Sequence, residues 1–200
     1  MAELTIECNP DPHDDMITLI QTVSKHYKKL PRIRRNIGIQ SFDDVILRDA
    51  HRQYTFNSLV GFLRELQRIK EPNMSYNLDF IAFGKLRELK NGDIQLWDEP
   101  KLQFFESVAG SGTFDGFSLY TLELFPGSTR YEQKKHLTTH EDSGYAMKQY
   151  GDDDAVYTEF SLLKDILLGH SYQRYELSNF ATMGKQSIHN HVYRSMELYV

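Results

Sequence analysis

The chain has 200 residues, a net charge of −5 and 40% apolar side chains, which suits one globular domain with a sizeable core and excludes a non-specific nucleic-acid binder. A single cysteine, Cys8, excludes an internal disulfide and any thiolate cluster within the chain. No run reaches the roughly 20 apolar residues of a membrane span, and the first ten residues lack the basic start and apolar stretch of a signal peptide, so the cytoplasm is the expected location.

Strand-like and helix-like segments alternate along the chain. Leu4 to Cys8 predicts a first strand, closed by Asn9-Pro10, and a helix follows with Met16, Leu19, Ile20, Val23, Tyr27 and Leu30 on one face and Pro31 as its stop. Arg34 to Gln40 predicts the second strand. A helix from about Phe56 to Ile69 carries Leu59, Val60, Leu63 and Leu66, and Tyr76 to Phe83 predicts the third strand. Lys101 to Val108 reads as a helix and Phe117 to Leu124 as the fourth strand. A helix opened by Asp152-Asp153-Asp154 ends at Gly169, and Tyr172 to Ser178 is the last expected strand. Such alternation predicts an α/β sheet of parallel strands joined by crossovers, curved like part of a barrel. The polar stretch from Lys134 to Asp154 reads as a linker.

Ligands of such sheets sit at the carboxyl ends of the strands, which directs attention to Glu7, Gln40 and Asp79. Alternation sets Glu7 on the face of Thr5, opposite Ile6 and Cys8. A carboxylate there suits a substrate ammonium, and an amide suits a carboxylate or hydroxyl. Taken alone, each fits a capping carboxylate or a backbone-bonded strand-end amide better, since isolated acids at strand ends are common. Other groupings carry less. His136 and His140 have helical metal-ligand spacing without an intervening glutamate. Gly110-Ser111-Gly112 precedes a strand rather than a helix, unlike a phosphate cradle. Lys28, Lys29, Arg32, Arg34 and Arg35 read as a solvated basic edge, and Asp152 to Asp154 as a helix cap.

Six segments occur in one order: AELTIECNP (2–10), NIGIQSFDD (36–44), NLDFIAFG (77–84), SLYTLELFPGS (118–128), YELSNFA (175–181) and HNHVY (189–193). Together they resemble the radical S-adenosylmethionine family that contains oxygen-independent coproporphyrinogen III oxidase and its heme-chaperone relatives. The resemblance implies a partial TIM-like β/α barrel, entered at its third strand, over 1–132, and a C-terminal extension over 133–200 with a further strand segment. It implies that Glu7, Gln40 and Asp79 hold S-adenosylmethionine. The tail is similar to the chaperone branch, which implies heme contact at His189 and Tyr193, an imidazole suiting iron.

The implied function is a heme-binding chaperone. The alternatives are the oxidase, which oxidatively decarboxylates propionate side chains, and an inactive split or decayed protein. The expected partners are heme or porphyrinogen, a heme-acceptor protein, or a chain supplying missing strands. Several positions depart from the family pattern. Leu47-Arg48-Asp49-Ala50-His51 has aspartate where arginine is usual, and Arg194 replaces a tryptophan. The Cys-x-x-x-Cys-x-x-Cys segment that binds a 4Fe-4S cluster is missing, as is Gly-Gly-Thr-Pro. The chain therefore reads as truncated at both ends, with no radical chemistry of its own and an unpaired first-strand edge that favours association.

Overall fold

The computed structural model describes residues 3–11, 15–88, 94–123, 126 and 153–195. Six strands form one sheet in the order β1 (Glu3–Cys8), β2 (Arg32–Gln40), β3 (Met74–Ala82), β6 (Gly116–Thr121), β8 (Asn179–Ala181) and β7 (Gln173–Arg174). The first four run parallel. Helices α1 (Met16–His26), α3 (Phe56–Ile69), α4 (Glu99–Gly110) and α5 (Asp153–Gly169) form the crossovers, as the alternation predicts. Their ends follow from local chemistry. Asp15 accepts from the Thr18 amide at 3.0 Å, and Thr55 and Ser58 form a reciprocal capping box at the start of α3.

Two small elements escape periodicity because they are too short to show any. Helix α2 (Asp44–Asp49) is started by Asp43, whose carboxylate accepts from the amides of Val45 and Ile46. Strands β4 (Arg87–Glu88) and β5 (Ile94–Gln95) form a two-residue antiparallel ladder. The last expected strand, 172–178, is corrected more substantially. Only Gln173 and Arg174 are extended. The chain then turns, with Tyr175 and Glu176 donating to the Asn179 carbonyl and Arg174 to that of Leu177. Strand β8 returns antiparallel to β7 and inserts between it and β6, so the parallel rule ends at β6. Leu177, which completes the apparent apolar alternation, is left exposed.

The helices pack on one face of the sheet. Ile20 from α1, Leu59, Leu63 and Leu66 from α3, Phe105 from α4, and Leu163 and Leu167 from α5 bury Ile37, Ile39, Leu78, Phe80, Phe117 and Leu119. Arg35 also points to this side and donates to the Ile20 carbonyl at 3.1 Å and to Ser24. The basic cluster divides: Lys28 and Lys29 are exposed, as a solvated edge requires, whereas Arg34 and Arg35 are 2% and 1% exposed and Arg32 is paired with Glu3 at 2.9 Å. Strand period 2 sends Arg34 and Arg35 to opposite faces, where each finds oxygen partners that the sequence does not pair with it.

One buried carboxylate fastens α5 to the loop after β3. Glu159 accepts from the Gly84 amide at 2.6 Å and from Trp97 Nε1 at 2.7 Å, while burial raises its pKa. Glu159→Leu strands both donors in the interior and should cost about 1–3 kcal/mol. Trp97 is the chain's one tryptophan, so denaturation followed by its fluorescence measures the loss. An unchanged midpoint would rule out this clamp.

Candidate functional site

The sheet face opposite the helices is polar. Glu3, Thr5 and Glu7 of β1, Arg34 and Asn36 of β2, Asn77 of β3, Ser118 and Tyr120 of β6, and Asn179 of β8 line an open trough of about 830 Å³. These residues alternate with the core residues already described, so the same period that builds the core builds the trough. Strand register brings Glu7 beside Asn36 and Asn36 beside Asn77.

A continuous row of hydrogen bonds crosses this face. Asn36 Nδ2 donates to Glu7 at 2.7 Å, and Arg34 Nε donates to the Asn36 oxygen at 3.0 Å. Arg34 also donates to the Asn77 oxygen at 2.8 Å, and Asn77 Nδ2 donates to Asp79 at 2.7 Å and to Ser118 at 2.8 Å. Ser118 continues to Asn179, which donates to Glu176 at 2.7 Å, and Asn190 donates to the same Glu176 oxygen at 3.1 Å.

The three strand-end residues singled out in the sequence share this side. Asp79 is partly buried, and the Glu7 carboxylate nearby further disfavours its ionisation. Burial is the larger cause, and together with Glu7 it outweighs the hydrogen bonds from Ser118 and Asn77 and raises the Asp79 pKa to about 6. Gln40 reaches the same rim by an unusual route. A β-bulge separates Gly38 from Gln40, and Gln40 has φ of 66°, a left-handed conformation that a side chain occupies at a cost of about 1–3 kcal/mol. Its amide folds back over Gly38. A Cβ on Gly38 would lie 2.6 Å from Gln40 Nε2 and 2.7 Å from Asn9 Oδ1, so a side chain there would push both amides off the rim. Asn9 in turn accepts from Arg52 at 3.1 Å, which brings a cation to the rim. Arg48 is exposed on α2, and Arg52 is the arginine of this region that reaches the strand ends.

The lower end of the trough is closed by helix α6 (Ile188–Ser195). Glu3 accepts from the Ile188 amide at 3.1 Å, while Arg32 and Arg34 donate to the carbonyls of Gln186 and Lys185. His189 lines the trough beside Ile188, Asn190 and Val192. Tyr193 lies in α6, but its side chain is outside the described residues, as are His136, His140, Asp152 and the junction at 132/133. Asp153 and Asp154 begin α5. Gly110 to Gly112 lead from α4 towards β6.

The donor set fits some groups and not others. Carboxylates, amides and Arg52 around one rim suit an amino acid or nucleoside bearing an ammonium and hydroxyls. A 4Fe-4S cluster needs three thiolates. Cys8 is buried on the helix side, with its thiol pushed up by burial, so no cluster fits these residues. Among the described residues no three His, Cys, Asp or Glu gather as a metal site, and no helix is long and apolar enough to cross a membrane. Sequence reasoning missed Arg34, Asn36, Asn77 and Ser118. Their signal was available: polar residues recur at every second position of strands whose alternate positions are apolar.

No family model matches the chain. Curated relatives do. The heme chaperone HemW of Lactococcus lactis is 23% identical over 200 residues, all of this chain and 45% of that protein. HemW of Buchnera aphidicola (subsp. Schizaphis graminum) is 28% identical over 189 residues, 94% of this chain and 42% of that protein, and HemW of Bacillus subtilis is 26% identical over 203 residues. The chain thus spans a little under half the length of the curated relatives it matches. Among solved structures, the radical SAM enzyme coproporphyrinogen III oxidase (HemN) of Escherichia coli superposes with a TM-score of 0.59, at 15% identity, over 97% of this chain and 38% of that one. That likeness shows a shared fold.

Proposed function

Because the chain is a relative of the HemW- and HemN-like radical S-adenosylmethionine proteins, we propose that its trough serves a heme chaperone, receiving S-adenosylmethionine at the rim and heme beside α6. In this reading Glu7 and Asp79 take the ligand's ammonium and ribose hydroxyls, with Gln40 beside them. Asp79, with a pKa of about 6, is charged at neutral pH and available for that pairing. His189 and Tyr193 contact heme. In the same reading residues 1–132 are the barrel portion and 133–200, whose strands β7 and β8 continue its sheet, the extension that carries the heme segment, and the protein works in the cytoplasm with a heme-acceptor protein as partner.

The observation that carries the reading is that one trough is lined both by Glu7, at a strand end, and by His189. Residues from separate segments, each expected to take a different ligand class, therefore face a common space. The relatives that match along the length of the chain are heme chaperones, which favours delivery over oxidative decarboxylation. No radical step is assigned to this chain, whose residues do not hold a cluster.

Titration with hemin tests the heme half directly. The full chain should shift the Soret band on binding, and His189→Ala should weaken that binding by about tenfold, the effect expected on losing an interaction of roughly 1.4 kcal/mol. Equal binding by the variant would remove His189 from the site, and no binding by the parent would remove the chaperone reading.

A further inference from the structure

Arg34 is almost wholly buried, yet its hydrogen bonds to Asn36, Asn77 and the Lys185 carbonyl all end on neutral oxygens. Placing a guanidinium in the interior on such partners is costly unless its charge serves something nearby. What it serves follows from hydrogen-bond capacity. Arginine donates and never accepts, an ionised carboxylate accepts and never donates, and an asparagine amide has one end of each kind. Asn36 stands between Arg34 and Glu7, and Asn77 between Arg34 and Asp79. Each amide can satisfy both neighbours in one orientation only, with its oxygen to the guanidinium and its NH₂ to the carboxylate.

We infer that Arg34 is a positioning residue which, through Asn36 and Asn77 together, aims two amide donors at the trough-facing carboxylates of Glu7 and Asp79 and so fixes the geometry of the rim. One cation in β2 thereby orients acceptors on β1 and β3. Without it, both amide oxygens lose their donor and each amide is held from its NH₂ end alone. An independent feature supports the arrangement. A Cβ on Gly116 of β6 would lie 2.5 Å from the Asn77 oxygen, 3.0 Å from the Phe180 carbonyl of β8 and 3.4 Å from Arg34. The neighbouring strand is bare at the point where the Arg34–Asn77 bond needs room.

The consequence for ligand binding rests on the function proposed above, but the positioning role does not, and the test separates them. Side-chain amide NMR on the full chain reads the orientation of Asn36 and Asn77, and carboxyl ¹³C titration reads Asp79. Arg34→Met, similar in length and without donors, should make both NH₂ groups exchange at least about tenfold faster, the loss expected for a charge-assisted bond. The Asp79 titration should move upward. Arg34→Lys, which keeps a donor-only cation, should restore most of the protection. Gly116→Ala should release the Asn77 amide and leave Asn36 protected, and it decides the matter should Arg34→Met not fold. Folded Arg34→Met with both amides protected and Asp79 unmoved overturns the inference. With S-adenosylmethionine as the probe, calorimetry should show about tenfold weaker binding to Arg34→Met. Amide changes without any binding by the parent chain would uphold the positioning role and sink the ligand assignment alone.

Discussion

Replacing Phe80 by alanine should cost the chain about 3–5 kcal/mol of stability, read as a lower denaturant midpoint at unchanged slope. The ring has no exposed surface. It meets Phe42 and Phe105 edge-on at centroid distances of 5.1 Å each and lies nearly parallel to Phe117 at 6.3 Å. These contacts join β3, α4, β6 and the loop after β2 that carries Phe42. Removing the ring leaves a cavity that the strands cannot close without losing their register, and each aromatic pair contributes about 0.5–1.5 kcal/mol beyond its buried area. The site should suffer too, since Phe80 and Asp79 are successive residues on opposite faces of β3. A loss below about 1 kcal/mol would mean that this core packs far more loosely than its geometry implies.

Asp79→Asn should act in the other direction and only in one pH range. The folded-state pKa of Asp79 is about 6 against an ordinary 3.8, so the native state holds the proton more tightly than the unfolded chain. The contribution of this group is fully present below about pH 4 and is lost as pH rises through about 6. A shift of this size corresponds to about 3 kcal/mol between acid and neutral pH. Asparagine keeps an acceptor oxygen for Asn77 and does not titrate. The variant should therefore match the parent near pH 4 and exceed it increasingly up to pH 7. A stability difference that stays constant from pH 4 to 7 would show that Asp79 does not titrate in this way. A carboxylate kept at such a cost is characteristic of a site that needs the charge, and gains in stability at such positions commonly lose function.

Both results would bear on the same sheet from its two faces, and the sequence speaks unequally about them. The apolar positions 33, 37, 39, 78, 80, 117 and 119 recur with period 2, and Leu59, Leu63 and Leu66 with a helical period, so strands, helices and their buried sides were legible directly. The facing direction of Glu7 and Asp79 was legible too, because it follows from local alternation alone, although Asp79 lies inside β3, three residues short of its end at Ala82. Three things were not. The turn over 175–178 looks extended in composition, and only the inserted β8 shows where the chain reverses. The bulge that folds Gln40 back over Gly38 depends on backbone geometry that many sequences share. Above all, the partners of Arg34 come from β2, β3 and the segment before α6, 2, 43 and 151 residues away along the chain.

The sequence by itself determined the alternating α/β order, the buried face and the candidate residues at the strand ends, since each depends on neighbours within a few positions. Tertiary structure alone decided that a run of arginines is divided between core and trough, that Arg52 rather than Arg48 reaches the rim, and that His189 faces the same space as Glu7. The physical reason is that hydrogen-bond capacity is written in each residue, whereas the partner that satisfies it is chosen by strand register across the sheet.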